Sequence, residues 1–197
     1  PVISYVGGSV FDILTSMRSL KKKIIAPFIH LMIKDQVKYS DYVHYVDSYL
    51  IKQYPTFGKT LICPSAIIEV KNKSSIIEYR KKLYSDISIR TIKFGIIGYV
   101  NNNIKGIDLA IKALASLKID FELEIVGRGN HDWLNDIIEK ENVKNKIKFL
   151  GTIEDREGLF KWLDSLDIYL QPSRTEGMPR ATIEAMSRGL PVVSSNA

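Results

Sequence analysis

Residues 167–195, DIYLQPSRTEGMPRATIEAMSRGLPVVSS, constrain the fold more tightly than any other stretch of the chain. Ile168-Tyr169-Leu170 is a short, continuous apolar run closed by Pro172 and Ser173, the pattern of a strand buried on both faces. A helix is expected from about Pro179 to Arg188. Proline suits the first helical position, where a missing N–H costs nothing, and Gly189 suits the left-handed residue past the end. Pro191-Val192-Val193 then opens a second apolar run. Strand, turn, helix and strand in this order make the two strands parallel, because a crossover of this kind is right-handed. A helix start beside the carboxyl end of a parallel strand is a ready phosphate site: its N–H groups lack partners and its dipole favours negative charge.

The same alternation extends back to Ile92. Strands are expected at Ile92–Gly98, Phe121–Val126 and Lys146–Leu150. Between them, Ile107, Ala110, Ile111, Leu114 and Leu117 fall at helical spacing, as do Trp133, Leu134, Ile137 and Ile138, and then Leu159, Phe160 and Leu163 behind an Asp155 cap. Five strands with four intervening helices predict a doubly wound, Rossmann-like parallel α/β domain over residues 90–197. Residues 1–66 carry the tail of a second such pattern. A strand at Val2–Val6 and a Gly7-Gly8 turn precede a helix over about Leu20–Tyr39, with Ile24, Ile25, Phe28, Leu31, Met32 and Val37 as its apolar stripe. Pro27 is expected to kink or divide that helix. Strands at Tyr42–Val46 and Thr60–Cys63 flank a short helix capped by Asp47 or Ser48. Residues 67–89 read as a connector, basic through Lys71, Lys73, Arg80, Lys81 and Lys82, with a short helix capped by Ser74 or Ser75. A chain that opens in a strand and stops after another is expected to be a fragment of a longer protein.

Composition removes several classes of function. With 45% hydrophobic and 25% charged residues the chain is globular rather than disordered. A net charge of +6 fits phosphate-bearing ligands, anionic membrane surfaces or nucleic acid. Nucleic acid is disfavoured, since neither a recognition helix nor a set of stacking aromatics is evident. Cys63 stands alone, which excludes an internal disulfide and suits a reducing compartment. His30, His44 and His131 lie far apart without partner cysteines, so no metal site is expected. No apolar run has spanning length. The basic cluster Arg18, Lys21, Lys22 and Lys23 ahead of an apolar helix is read first as a solvated face on a packed helix, with peripheral contact to anionic lipid as the less favoured alternative.

Ligands of doubly wound sheets sit at the carboxyl ends of the strands. Those ends are Tyr99–Gly106, Gly127–Asn130, Gly151–Ile153 and Ser173–Arg180, and they supply the cations Lys105, Arg128, Arg174 and Arg180. Lys105 at a helix entrance opposes the helix dipole, a conflict that an anionic ligand removes. Glu176 and Glu184 repel a phosphate unless they accept hydrogen bonds from hydroxyls, such as a ribose diol or a hexose ring. The plain alternative, Glu176 as a cap and Glu184 as a solvated side chain, stays open. Gly127-x-Gly129 lacks the third glycine of a dinucleotide fingerprint, since Asp132 stands there. There is no Asp-x-Asp triplet to hold a metal-bound diphosphate.

The stretch EGMPRATIEAMSRGLPVV, with its spaced Glu176 and Glu184, resembles the signature of the retaining GT-B glycosyltransferases of family 4, the group 1 class. IIGYVNNNIKGIDLAIKAL, LEIVGRGN and IKFLGTI resemble that family's other motifs, in its order and over about half the chain. The resemblance implies a GT-B-type fold, with residues 1–66 as the end of the acceptor-side domain and 90–197 as the nucleotide-sugar domain. It implies a UDP- or GDP-sugar donor, a glycan or lipid-linked acceptor, retention of configuration without a metal or other cofactor, and cytoplasmic work on cell-surface polysaccharide. Glu184 would accept from the ribose, and Glu176 would orient the donor sugar. Lys105 with the Gly177, Met178, Pro179 and Arg180 turn would hold the diphosphate. Gly127 and Arg128 would line the rim, and Gly151, Thr152 and Ile153 would frame the base. Tyr99 stands where many relatives carry an arginine, which leaves the second phosphate cation open, with Arg180 or Arg174 as the candidates to replace it. A non-catalytic nucleotide-sugar-binding module and a sugar-nucleotide epimerase of the same fold are the alternatives.

Overall fold

The computed structural model describes residues 1–17, 19–63, 68, 73–85 and 90–196. Arg18, Lys71 and the connector boundaries at 64–67, 69–72 and 86–89 lie outside the described residues. The chain folds as two compact units: Pro1–Ile67 with Thr175–Arg180, and Ile68–Arg174 with Ala181–Ala197.

The first unit holds a three-stranded parallel sheet, β1 (Ile3–Val6), β2 (Tyr42–Tyr45) and β3 (Lys59–Ile62), in the order β1-β2-β3. Helices α1 (Val10–Ser16), α2 (Leu20–Lys38) and α3 (Ser48–Gln53) connect the strands. Sequence periodicity missed α1, a seven-residue helix with no buried residue; Ser9 caps it by accepting from Asp12 N–H. Asp47 caps α3 by accepting from Leu50 N–H at 3.1 Å.

Two expectations for α2 are corrected. Pro27 does not divide it: the helix is one element from Leu20 to Lys38, and Pro27 is exposed, so water can reach the carbonyl one turn earlier that loses its donor. Of the expected stripe only Val37 lies on the buried face. Ile24, Phe28, Leu31 and Met32 are each more than 60% exposed and Ile25 is 49% exposed. The face that packs is Ala26, His30, Ile33 and Val37, spaced four, three and four residues apart. A histidine interrupts it in the sequence, but that histidine is satisfied: His30 Nδ1 lies 3.1 Å from the Tyr54 hydroxyl, which also accepts from Val10 N–H. Val6, Val43, Tyr45, Val46, Leu50 and Tyr54 complete this core.

The second unit carries the five strands expected: β4 (Ile92–Ile97), β5 (Phe121–Val126), β6 (Ile147–Gly151), β7 (Ile168–Gln171) and β8 (Val192–Ser194). All pair in parallel, in the order β6-β5-β4-β7-β8. The chain therefore reverses its direction of winding between β4 and β7. Helices α5 (Ile107–Ala115) and α6 (Asn135–Lys140) pack with Phe94, Ile96, Leu123, Ile125 and Leu170 in one core. Helices α7 (Arg156–Ser165) and α8 (Arg180–Ser187) follow β6 and β7, and their Trp162, Leu163 and Ala185 pack with Val126, Leu166, Tyr169 and Leu190 in another. Both faces of the parallel sheet thus carry helices, which explains why its inner strands read as mostly apolar. Asp155 caps α7 by accepting from Gly158 N–H at 2.6 Å.

Helix α4 (Lys73–Ser85) is fastened to this unit by one buried cation. Arg80, 4% exposed, donates to the carbonyls of Leu163, Asp164 and Leu166 at the end of α7 and to that of Arg188 after α8. It supplies donors to carbonyls that a helix end leaves without partners. Tyr79 and Tyr84 donate to the carbonyls of Asp164 and Asp167. Ser74 and Ser75 lie inside α4 rather than capping it, because the helix begins at Lys73.

β5 also carries two carboxylates toward α7. Glu124, 8% exposed, accepts from Trp162 Nε1 at 2.7 Å. Burial pushes its pKa up, and Glu122 beside it pushes the same way. Lys148 at 2.6 Å holds Glu122 below its ordinary value.

Candidate functional site

In an open parallel sheet, the crevice for a ligand opens at the carboxyl ends of the two strands where winding reverses. Here those are β4 and β7, and the segments that follow them are locked together. Gly106, at φ 64°, lies so close to Pro172 that a Cβ would stand 1.8 Å from its carbonyl oxygen, so only glycine fits on both counts. Arg174 N–H donates to Ile104 O at 2.8 Å. The Arg174 guanidinium forks onto both oxygens of Asp108, at 2.8 Å each, and donates to Asn103 O as well. Asp108 sits in the first turn of α5 and is 4% exposed. Arg174 was one of four cations expected to face a ligand. The structure commits it to Asp108 instead, as a clamp between the two loops.

Lys105 ends a 3-10 turn, Asn103–Lys105, shaped by Asn102 Oδ1 accepting from Ile104 N–H at 3.0 Å. Its stem lies across Gly98, where a Cβ would meet Lys105 Cγ at 2.7 Å. Lys105 thus runs over the end of β4. Next to it, the end of β5 is laced to the same turn. Gly98 N–H donates to Val126 O and Val100 N–H to Arg128 O, at 2.9 and 3.1 Å. Gly127 would place a Cβ 1.8 Å from Gly98 O, so the glycine is required by close approach. The exposed Arg128 guanidinium lies 5.9 Å from the centre of the Tyr99 ring. Gly127 N–H donates to Gly151 O at 2.8 Å, which brings the β6 end alongside. Beyond it Thr152 is exposed, and Ile153 packs half-buried against the α7 core.

A buried polar chain lies under the carboxyl end of β7, and sequence reasoning missed it. Gln171 Oε1 accepts from Tyr169 Oη at 3.0 Å and from Thr182 of α8, while its Nε2 donates to Ser173 Oγ at 2.8 Å. Tyr169 Oη also accepts from Ile97 N–H. The first turn of α8 is thereby tied to both β7 and β4. The one available signal was a glutamine closing an otherwise apolar strand ahead of Pro172 and Ser173. Glu184 lies in the middle of α8, half-buried, and no ion pair or hydrogen bond engages its carboxylate among the described residues.

The remaining expected residues, Glu176, Gly177, Met178, Pro179 and Arg180, fall in the stretch Thr175–Arg180, which belongs to the first unit. Within that unit Met178 packs on the core of Val6 and Val43, and Gly177 lies against Gly7, leaving no room for a Cβ beside Gly7 O. Pro179 is corrected from first helical residue to the residue before it. Arg180 N–H donates to Met178 O at 2.9 Å, and that tight turn starts α8 at Arg180. Among the described residues no three His, Cys, Asp or Glu side chains are grouped to hold a metal ion, and no helix is long and apolar enough to cross a membrane.

A sequence profile described as "Glycosyl transferases group 1" matches residues 91–197. The Staphylococcus aureus protein CapJ is 35% identical over 201 residues, covering 100% of this chain and 49% of CapJ. The amylovoran biosynthesis glycosyltransferase AmsK of Erwinia amylovora is 39% identical over 101 residues, 46% of this chain and 25% of AmsK. Among solved structures, Anabaena Alr3699/HepE in complex with UDP-glucose superposes with a TM-score of 0.67 at 20% identity, covering 100% of this chain and 54% of that one. The chain therefore spans about half the length of CapJ and of HepE. The expected class, a GT-B-type α/β fold of parallel sheets, is borne out.

Proposed function

The chain belongs to the glycosyl transferases group 1 family, and from that premise we propose that the whole protein moves a hexose from a UDP- or GDP-sugar to a glycan or lipid-linked acceptor, with retention of configuration, in the assembly of cell-surface polysaccharide. The observation that carries this reading is the winding reversal of the second unit. Its two loops are held by the Asp108–Arg174 fork, and Lys105 stands beside them at the carboxyl ends of the strands. The polysaccharide assignment is supported by the name of AmsK, and the sugar-nucleotide assignment by the UDP-glucose bound to HepE.

The proposed roles follow from charge. Residues 90–197 form the donor domain and 1–66 the end of the acceptor-side domain. As the sugar–phosphate bond breaks, negative charge grows on the departing diphosphate. Lys105, the N–H groups of Gly177 and Met178, and the start of α8 behind Pro179 and Arg180 stabilise it. A diphosphate oxygen takes the proton of the attacking acceptor hydroxyl. Glu184 accepts hydrogen bonds from the ribose hydroxyls, Glu176 orients the hydroxyls of the donor sugar, and the backbone of Gly151, Thr152 and Ile153 frames the base. With a cation and helix N–H groups on the diphosphate, the reaction proceeds without a metal.

Calorimetric titration of the full-length protein with UDP and GDP, with and without magnesium, tests this directly. Lys105→Ala and Glu184→Ala should each weaken binding by about 1–3 kcal/mol, the scale of a hydrogen bond to a charged group. Unchanged affinity in both variants removes these assignments, and binding that requires magnesium removes the metal-free mechanism.

A further inference from the structure

We propose that Arg128, held over the ring of Tyr99, is the second cation on the diphosphate of the donor, and that Tyr99 is the residue that positions it. The inference rests on the donor reading above and assigns a pair of residues within it. A diphosphate carries more than a single negative charge, and beside Lys105 the donor reading sets mainly helix N–H groups, which carry only partial charge, so a further full cation has a place there. Arg174 is spent on Asp108. Arg128 has no carboxylate partner among the described residues, and its head group is exposed at the carboxyl end of β5.

Its placement is built rather than incidental. The backbone at Arg128 accepts from Val100 N–H, and Gly127 presses against Gly98 O, so the β5 end cannot shift without the β4 end. Gly98 is also the residue over which the stem of Lys105 runs. Both residues therefore touch one short turn, Gly98–Val100, Lys105 through its stem on Gly98 and Arg128 through its carbonyl on Val100 N–H. Tyr99 is 47% exposed and contributes to neither core of its unit. An aromatic ring left at a ligand rim has a physical use. A guanidinium held over a ring by cation–π attraction keeps its N–H groups, which lie in its own plane, available to phosphate oxygens. Holding the guanidinium by the ring also removes rotamer freedom that a lone surface arginine would lose on binding. The second cation that Tyr99 left open in the sequence is thus supplied from the neighbouring loop.

The test is titration of the full-length protein with whichever of UDP and GDP binds more tightly, and with the matching uncharged nucleoside. Arg128→Ala should weaken the nucleotide about tenfold and leave the nucleoside unchanged. Tyr99→Ala should weaken the nucleotide about three- to tenfold and Tyr99→Phe hardly at all, since the phenyl face suffices. The Tyr99→Ala, Arg128→Ala double variant should be no worse than Arg128→Ala alone, because the two act as a unit. Tyr99→Arg should restore nucleotide binding in the Arg128→Ala background. Nucleotide affinity indifferent to Arg128→Ala overturns this inference alone, as does an equal loss for nucleotide and nucleoside or an additive double variant. A parent protein that binds neither UDP nor GDP overturns the donor reading and this inference with it.

Discussion

Replacing Arg174 by methionine tests how the ligand edge is held. The change keeps much of the side chain's bulk and removes the fork that spans the loops after β4 and β7. Asp108 is then left with a side chain 6% exposed and its main counter-charge gone. Removing one partner of a buried ion pair costs about 3–5 kcal/mol. Two features of this pair lower that figure. Arg174 keeps 25% of its side chain exposed, so water reaches the pair. The first turn of α5 also favours a negative charge at Asp108 by about 0.3–1 kcal/mol. About 2–3 kcal/mol of lost stability is therefore expected for Arg174→Met. Arg174→Lys keeps the charge but not the two-pronged geometry, and should still lose about 1–2 kcal/mol. The Arg174→Met, Asp108→Leu double variant should recover most of the loss, because no buried charge is stranded. Trp133 and Trp162, the two tryptophans of the chain, both lie in the second unit, so urea unfolding followed by tryptophan fluorescence reports that unit. A loss below about 0.5 kcal/mol for Arg174→Met, the range of a neutral surface change, would refute the clamp.

Arg80→Met should destabilise the second unit by about 3 kcal/mol or more in the same assay, because four carbonyls lose a buried charged donor; full stability would mean that α4 is not fastened through Arg80. Glu124 titrates above its ordinary value of 4.5 in the folded chain, so its stabilising contribution is complete below that pH and is lost as pH rises through the folded value. Glu124→Gln removes this slope, and its melting temperature should gain on the parent's with rising pH; a constant difference would contradict the burial argument. Lys21, Lys22 and Lys23 beside the exposed Ile24 and Phe28 support a peripheral membrane contact. Changing all three lysines to alanine should lower co-sedimentation with phosphatidylglycerol vesicles, and undiminished binding would contradict such a contact.

The second unit was legible in the sequence because its inner strands β4, β5 and β7 are largely buried and its strands are short, mostly apolar runs between Gly, Pro and Asn signals. β5 matches its expected bounds residue for residue, and β4, β6, β7 and β8 lie within a residue or so. α2 was legible as a helix but not as a surface. Ile24, Phe28 and Leu31 outweigh the true packing face in hydrophobicity, and the histidine that interrupts that face is satisfied by the Tyr54 hydroxyl, which the sequence does not announce. Lys105 and Arg174 looked alike in one dimension, two cations near strand ends. What separates them is Asp108, whose partner lies 66 residues away and is joined to it only by the closing of the sheet. Tyr99 and Arg128, 29 positions apart, meet for the same reason. Sequence shows which chemistry sits at each strand end; sheet order decides which ends are neighbours.

The most direct test of the account is a crystal structure of the full-length protein with an intact sugar nucleotide. The diphosphate should lie at the β4 and β7 ends within hydrogen-bond reach of Lys105 Nζ, with the ribose hydroxyls on the Glu184 carboxylate. A diphosphate bound away from Lys105, or a Glu184 carboxylate turned from the ribose into solvent, would contradict it.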